Sequence, residues 1–294
     1  MSPKEPFMAA NIDTAKIAAI LKDCADKYVL PRFNKLKDHE IITKTSKDDL
    51  VTDADRETEA ALAKILTTLY PGSVVIGEEG VFEGKANLDE LKKKEGIVWV
   101  IDPVDGTRNF VQGRPEFSIM LACVVNGETR YGWIHDVLEA ETAIASKGGG
   151  AWYKGQKLQV ANDKPIEETN GYIGKKYLAQ DHRAHVNQEA GKVKKLGTIS
   201  CASHEYLRMA QGKADFGIYS KIKPWDHLAG VLFIQESGGY VAKWDKTPYT
   251  PKDTGGGILV ASSKALWQKA HDLLIKGYEN TSPGQKPDTG PKNA

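Results

Sequence analysis

The segment Trp99-Val100-Ile101-Asp102-Pro103-Val104-Asp105-Gly106-Thr107 carries an apolar run straight into two aspartates three residues apart. Proline holds its own φ near about −65°, so Pro103 predicts a sharp turn that lets both carboxylates converge on one point. Hard cations such as Mg²⁺ are held by a few carboxylates together with water and substrate phosphate, and a rigid turn at a strand end suits that coordination. Gly106-Thr107 then opens what reads as a helix, whose first backbone amides lack partners and can receive a phosphate. Taken alone, the same residues also fit ordinary turn punctuation, with Asp105 as a helix cap.

Acidic residues recur at three other element ends. Gly77-Glu78-Glu79 follows a short β-branched run, Pro224-Trp225-Asp226-His227 opens an amphipathic pattern through Leu228, Val231, Leu232 and Ile234, and Thr52-Asp53-Ala54-Asp55 heads a further helix. Each has a plainer explanation by itself: a solvated loop for Glu78 and Glu79, an N-cap for Asp226 and Asp55. Together they are what a shared carboxylate cluster requires, and such a cluster suits metal-assisted chemistry on phosphate esters.

The elements that must position these residues show in the periodicity. Ile17, Ile20, Leu21, Cys24 and Tyr28 recur at helical spacing, with Pro31 placed to end or kink that helix. Residues 44–52 are polar and turn-like, 55–69 resume a helix stopped by Pro71-Gly72, and 73–76 and 97–101 read as buried strands on either side of a solvated, Lys- and Glu-rich excursion over 80–95. Strand-like runs at 117–126, 130–137 and 141–146 predict an antiparallel meander, closed by turns at 148–150 and 154–156. Beyond residue 162, strands at 171–174, 195–199, 215–219 and 257–261 alternate with helices at 203–212, 226–237 and 263–276, an α/β pattern. The expected organisation is an α+β half over 1–161, an α/β half over 162–278, and a disordered tail over 279–294 that is too polar to offset its ordering entropy.

Lys plus Arg (40) nearly balances Asp plus Glu (39), so no general field draws the chain to nucleic acid or an anionic membrane, and any phosphate affinity is local. Cys24, Cys123 and Cys201 are odd in number and sit in mostly apolar stretches, as reduced core thiols do. No apolar run has signal-peptide or membrane-spanning length, which makes a cytoplasmic location the expectation. Gly255-Gly256-Gly257 lacks the lysine pattern of a nucleotide-binding loop and is set aside.

In order and spacing, Val51-Thr52-Asp53-Ala54-Asp55, Gly77-Glu78-Glu79, Asp102-Pro103-Val104-Asp105-Gly106-Thr107, Gly148-Gly149-Gly150-Ala151-Trp152, Trp225-Asp226-His227-Leu228-Ala229-Gly230 and Glu236-Ser237-Gly238-Gly239 resemble the inositol monophosphatase family of metal-dependent phosphatases. The resemblance implies a layered α-β-α-β-α sandwich of the sugar-phosphatase type, mixing α+β and α/β character and assembled as a homodimer. It implies two or three Mg²⁺ ions per site and inhibition by lithium. Glu78, Asp102 and the Val104 carbonyl would bind a first Mg²⁺, and Asp102, Asp105 and Asp226 a second. A third, weaker ion would lie near Glu78 and Glu79. Asp55 and Thr107 match the pair that positions the attacking water, Glu78 acts with them in catalysis, and the Gly106 and Thr107 amides would hold the phosphate. Substrate contacts would also come from Asp105, Ser200, Ala202, Tyr219 and Asp226.

The chain departs from the inositol-specific pattern where it bears on substrate choice. Tyr219 stands where animal members place a glutamate that binds the ring hydroxyls, and Ser200-Cys201-Ala202-Ser203 replaces the family's Gly-Ser/Thr-Ala-Ala. Lys221 and Lys223 precede Asp226 and either favour a substrate with additional negative charge or form a solvated basic loop. Arg108 and Asn109 either tune the phosphate turn or lie on a helix surface. His204 and His227 read as structural, because hard Mg²⁺ rarely selects imidazole. The expected reaction is Mg²⁺-dependent hydrolysis of a small phosphate monoester, myo-inositol monophosphate first, with histidinol phosphate, fructose 1,6-bisphosphate and 3'-phosphoadenosine nucleotides as alternatives. A non-catalytic regulatory or RNA-associated protein on the same scaffold is the reading from another class, and the neutral charge balance argues against it.

Overall fold

The computed structural model describes residues 12–44, 50–93 and 95–279. Asp13 starts the first helix, α1 (Thr14–Cys24), by accepting the Lys16 N–H at 2.9 Å. The helix widens through Ala25–Val29 and tightens over Leu30–Arg32 before releasing the chain, which is how Pro31 is accommodated. Two short strands, β1 (Ile41–Thr43) and β2 (Leu50–Thr52), then pair antiparallel with Ile41 opposite Thr52. The sequence predicts a polar turn over 44–52, but Leu-Val-Thr is a β-forming tripeptide too short to register against its polar flanks; residues 45–49 lie outside the described residues. Thr52 opens α2 (Asp53–Leu69), its N–H donating to Asp55 Oδ2 at 2.8 Å and its hydroxyl to the same oxygen at 2.6 Å.

Next come β3 (Val74–Gly77), the single-turn α3 (Glu78–Phe82), β4 (Ile97–Asp105), the single-turn α4 (Thr107–Val111), and the meander β5 (Ser118–Val125), β6 (Glu128–Asp136), β7 (Glu141–Ser146), β8 (Gly150–Tyr153) and β9 (Gln156–Lys157). These strands form one seven-stranded sheet in sequential order, parallel only at β3–β4. The excursion over 80–95 is not simply solvated: α3 opens it, and Leu91 in a following 3-10 turn is buried. The turn expected at Pro103 is instead a bulge. Asp102 faces Met120 and Asp105 faces Ser118, so β4 advances three residues while β5 advances two. Proline has no N–H for the ladder, and an extra residue at the bulge accommodates it without ending the strand.

The second sheet is built from β10 (Asn170–Ile173), β11 (Lys195–Gly197), β12 (Phe216–Tyr219), β13 (Tyr240–Lys243) and β14 (Ile258–Ala261), in the order β11-β10-β12-β14-β13. Its helices are α5 (Gln180–Glu189), α6 (Ala202–Ala210), α7 (Pro224–Glu236) and α8 (Lys264–Leu274). The periodicity shows neither α5 nor β13: α5 buries only His182 and Val186, and β13 is four residues directly after Gly238-Gly239.

Period-two alternation sorts the side chains into layers. Ile97, Trp99 and Ile101 of β4 pack with Leu21, Leu62 and Leu66 of α1 and α2, whereas Val98 and Val100 pack with Leu228, Leu232 and Tyr206 of α7 and α6. In β14, Ile258 and Val260 join the α7 side, and Leu259 and Ala261 meet Leu266, Trp267 and Ala270 of α8. The order is therefore helices α1 and α2, the seven-stranded sheet, α6 and α7, the five-stranded sheet, and α5 and α8. Helix α7 has sheets on both sides, which is why Trp225 and Leu228 to Ile234 are all buried and its apolar stripe is continuous rather than one-sided. Cys24, Cys123 and Cys201 are free and buried, and no helix among the described residues is long and apolar enough to cross a membrane. The tail over 280–294 and the first eleven residues lie outside the described residues.

His135 of β6 is fully buried beside the Thr142 hydroxyl at 2.8 Å, and burial pushes its pKa down to about 4. The unfolded chain takes up this proton near pH 6.5 and the folded one does not, so stability is present above that pH and is lost as pH falls towards 4. We expect this group alone to account for about 3 kcal/mol of lost stability between those limits. Urea unfolding of wild type and His135→Gln across that pH window checks it, and the variant's stability should fall by correspondingly less.

Candidate active site

Three elements converge at one end of the seven-stranded sheet. Glu78 is the first residue of α3, Asp102 sits at the β4 bulge, and Asp226 lies in the first turn of α7 behind Pro224, a residue suited to a helix start. One carboxylate oxygen of each lies within 4.8 Å of the others. Glu78 is held there from behind: Glu59 on α2 accepts the Glu79 N–H at 2.8 Å and the Gly80 N–H at 2.7 Å. A Cβ on Gly77 would stand 2.1 Å from the Glu59 carboxyl carbon, so this approach requires glycine.

Burial, followed by the nearby charges of Glu78 and Asp105, raises the Asp102 and Asp226 carboxyls well above the ordinary range. Three such groups together need protons or cations. The donor set is all carboxylate oxygen, and Glu79 Oε2 is buried without a hydrogen-bond partner, which fits a hard divalent ion. One cation is supplied by the chain itself. Lys44, just after β1, places its ammonium 2.9 Å from Glu78 Oε1 and 2.5 Å from Glu79 Oε1 with only 2% of its side chain exposed. Burial works against that charge, but Glu78 and Glu79 outweigh it and hold the ammonium protonated; burial nonetheless pushes the Glu79 carboxyl up to about 8.

Asp105 is tied to a further element. Its carboxylate accepts the N–H of Ala202 at 3.2 Å and of Ser203 at 2.6 Å, and the Cys201 thiol at 3.1 Å, which is a side chain seated on the start of α6. Gly106 has φ +87°, and a Cβ there would lie 2.8 Å from the Glu116 carbonyl, so only glycine makes this turn. Thr107 Oγ1 is 3.0 Å from the Val104 carbonyl and 3.3 Å from Asp55 Oδ1, while Thr52 occupies the other Asp55 oxygen. Burial pushes Asp55 up to about 7.

Asp105 and Asp226 border a cleft of about 350 Å³ that also takes in Ser200, Ala202, Tyr219 and Glu205. Glu205 and Lys44 have no counterpart in the motif reading: Glu205 resembles an ordinary helical glutamate in sequence, yet it accepts the Thr198 hydroxyl at 2.7 Å and the Ile199 N–H at 2.8 Å. Burial, and then the Glu205 charge, hold the Tyr219 phenol well above its usual pKa. Ser200, at the family's glycine position, adopts φ +60°.

Asn109 is on neither a helix surface nor the phosphate turn. It is fully buried and donates to the Glu116 and Ile199 carbonyls at 2.8 and 3.0 Å, whereas Arg108 lines the cleft. His227 is buried between the Lys221 carbonyl and the Tyr206 hydroxyl, each at 3.0 Å. A carbonyl can only accept, so Nε2 carries the proton and Nδ1 accepts from Tyr206. His204 Nε2 lies 3.3 Å from the Phe117 carbonyl.

The model of the inositol monophosphatase family matches residues 5–281. The chain belongs to that family. It is a phosphatase by that membership, the family is Mg²⁺-dependent in general, and its members act on small phosphate substrates. A fructose-1,6-bisphosphatase/inositol-1-monophosphatase of Thermotoga maritima is 33% identical over 198 residues, covering 67% of this chain and 73% of that one. A Nus factor SuhB of Xylella fastidiosa is 33% identical over 254 residues, covering 81% and 87%. The solved structure of a Thermotoga maritima IMPase superposes with TM-score 0.76 at 25% identity, over 88% of this chain and 95% of that one.

Two outcomes follow for the family site in this chain. Lys44→Met leaves the buried Glu79 and half-buried Glu78 carboxylates facing each other and should destabilise the metal-free protein by about 3 kcal/mol, with a smaller loss in Mg²⁺, as expected of a cation that prefers the folded state. Urea unfolding with and without Mg²⁺ tests this, and equal losses would show that the ammonium does not share a place with a cation. Ser200→Gly relieves a left-handed backbone and should stabilise the protein by about 1 kcal/mol, read in the same assay.

Proposed function

We propose that this chain hydrolyses a small phosphate monoester, with myo-inositol monophosphate or a related polyol phosphate as the first substrate to test, using two or three Mg²⁺ ions. The observation that carries the reading is the convergence of Glu78, Asp102 and Asp226 from three elements on one point beside a cleft. Glu78, Asp102 and the Val104 carbonyl are proposed for a first ion, Asp102, Asp105 and Asp226 for a second, and Glu78 with Glu79 for a weaker third. Mg²⁺ held by these residues would supply charge to neutralise phosphate oxygens, to make a bound water more acidic and to stabilise the leaving alkoxide.

The chain's own groups supply orientation and proton handling. The Thr107 hydroxyl has one proton to donate, and its two acceptors are the Val104 carbonyl and Asp55. When that proton points to Asp55, the Thr107 oxygen is free to accept from the attacking water. Thr52 fixes Asp55 in this orientation through two hydrogen bonds on its other oxygen. The phosphate is proposed to rest against the Gly106 and Thr107 amides, and its alcohol to occupy the cleft bordered by Ser200, Ala202 and Tyr219. Asp105, tied to the start of α6, links the metal seat to that wall. With the half-buried Tyr219 in place of a glutamate, histidinol phosphate, fructose 1,6-bisphosphate and 3'-phosphoadenosine nucleotides remain candidate substrates. A homodimer in the cytoplasm is part of the proposal. The relative named Nus factor SuhB supports a second reading, association with a protein or RNA partner.

Phosphate release should depend on Mg²⁺ and fall at least about a thousandfold in Asp102→Asn. The assay is run on inositol 1-phosphate, histidinol phosphate, fructose 1,6-bisphosphate and phosphoadenosine nucleotides. Turnover indifferent to the metal and to the substitution would remove the carboxylate cluster from the mechanism.

A further inference from the structure

A line of small polar side chains ends on the Asp105 carboxylate. Ser118, the first residue of β5, lies opposite Asp105 across the β4 bulge, and its Oγ donates to Ser203 Oγ at 2.6 Å. Ser203 Oγ is 3.1 Å from Cys201 Sγ, which in turn lies 3.1 Å from Asp105 Oδ2. Both serines are fully buried and Cys201 is 3% exposed, so bulk water does not stand in for these contacts. The end of β4, the start of β5 and the start of α6 are thereby joined through side chains at one carboxylate.

Each of the three side chains has one proton to give, and counting those protons fixes the direction of the line. The Cys201 thiol has the Asp105 carboxylate and the Ser203 hydroxyl as acceptors in reach, and the anion is the stronger. Its sulfur then accepts from Ser203. Because Ser203 accepts from Ser118, all three protons point towards Asp105, and each bond polarises the next. A thiol is a weak donor by itself. Cys201 stands where the family pattern has Ser or Thr and Ser203 where it has Ala, so the added hydroxyl offsets the weaker donor beside it.

The same contacts decide which Asp105 oxygen is left open. A carboxylate oxygen has about two lone-pair directions. Oδ2 fills both with the Ser203 N–H and the Cys201 thiol, whereas Oδ1 accepts only the Ala202 N–H among the described residues. Its other direction is free on a residue that borders the cleft. We propose that Cys201, Ser203 and Ser118 are positioning residues for Asp105, forming a buried one-way relay that locks Oδ2 and presents Oδ1 to a divalent cation. This rests on the Mg²⁺-dependent hydrolase reading above and deepens it. All three residues act only through the direction of that one carboxylate.

The test follows the thermal unfolding midpoint against Mg²⁺ concentration without substrate, beside phosphate release from inositol 1-phosphate over the same Mg²⁺ range. The proteins are wild type, Cys201→Ser, Cys201→Ala, Ser203→Ala and the Cys201→Ala/Ser203→Ala double variant. Cys201→Ala should raise the Mg²⁺ concentration for half-maximal stabilisation about tenfold and Ser203→Ala about threefold, while Cys201→Ser keeps the wild-type value. With the thiol gone, the Ser203 hydroxyl has no path to Asp105, so the double variant should lose no more than Cys201→Ala alone. The Mg²⁺ requirement for phosphate release should follow the same order. Ser203→Ala removes one buried oxygen and keeps the comparison available if Cys201→Ala does not fold. A merely structural role would lower the metal-free midpoint and leave the Mg²⁺ dependence unmoved. That result, or additive losses in the double variant, would overturn the relay while leaving the phosphatase intact. A wild type that Mg²⁺ neither stabilises nor activates would instead overturn the hydrolase reading and the relay with it.

Discussion

Everything in this molecule answers to the mutual repulsion of carboxylates held closer than they would choose to lie. At 4.8 Å and an effective dielectric constant of about 20, each ionised pair among Glu78, Asp102 and Asp226 opposes folding by about 3 kcal/mol. Flexible loops would relax such a cluster apart. Here one carboxylate hangs from a strand interior to its sheet, one from a helix gripped between sheets, and one from a turn held by a carboxylate behind it. The rigidity of the layers keeps the repulsion in place, and the repulsion makes the seat receptive to a cation.

The neighbouring acids are kept out of that competition by partners of their own. Glu59 is spent on the amides opening α3, Asp55 on Thr52, and Glu205 on Thr198 and Ile199. A carboxylate given N–H or O–H donors has a fixed direction and a satisfied charge. This separates the acids that frame the site from those left open at its centre. Lys44 stands between the two groups, because it satisfies Glu78 and Glu79 with a positive charge that is itself tethered to the fold.

Much of this was legible in the chain because chemistry at element ends leaves a double mark, an acidic residue and a change of hydrophobic period. Glu78, Asp102 and Asp226 each carry that mark, and the structure brings them together. Lys44 does not: it lies in a polar stretch without period, and Glu78 is 34 residues away. Glu205 looks like the exposed face of a short helix until the loop before it folds back onto its carboxylate. The bulge at Pro103 was hidden because an X-Pro step reads equally as a turn or as an irregular strand, and the neighbouring strand that decides between them is not local. Helix α5 and strand β13 escaped for a simpler reason, since a two-residue stripe and a four-residue run carry too little periodicity.

The seat's dimensions are set by α7 as much as by its ligands. Asp226 stands on the first turn of a helix that both sheets clasp along its length, and the fit leaves almost no clearance: a Cβ at Gly230 would fall 2.1 Å from the Tyr206 ring. The helix therefore behaves as a gauge block, transferring the spacing of the two sheets to the gap across the seat. Lining residues such as Tyr177 and Lys221 sit on turns outside that clasp. The rim of the cleft can thus change while the distance between the three carboxylates stays machined into the core.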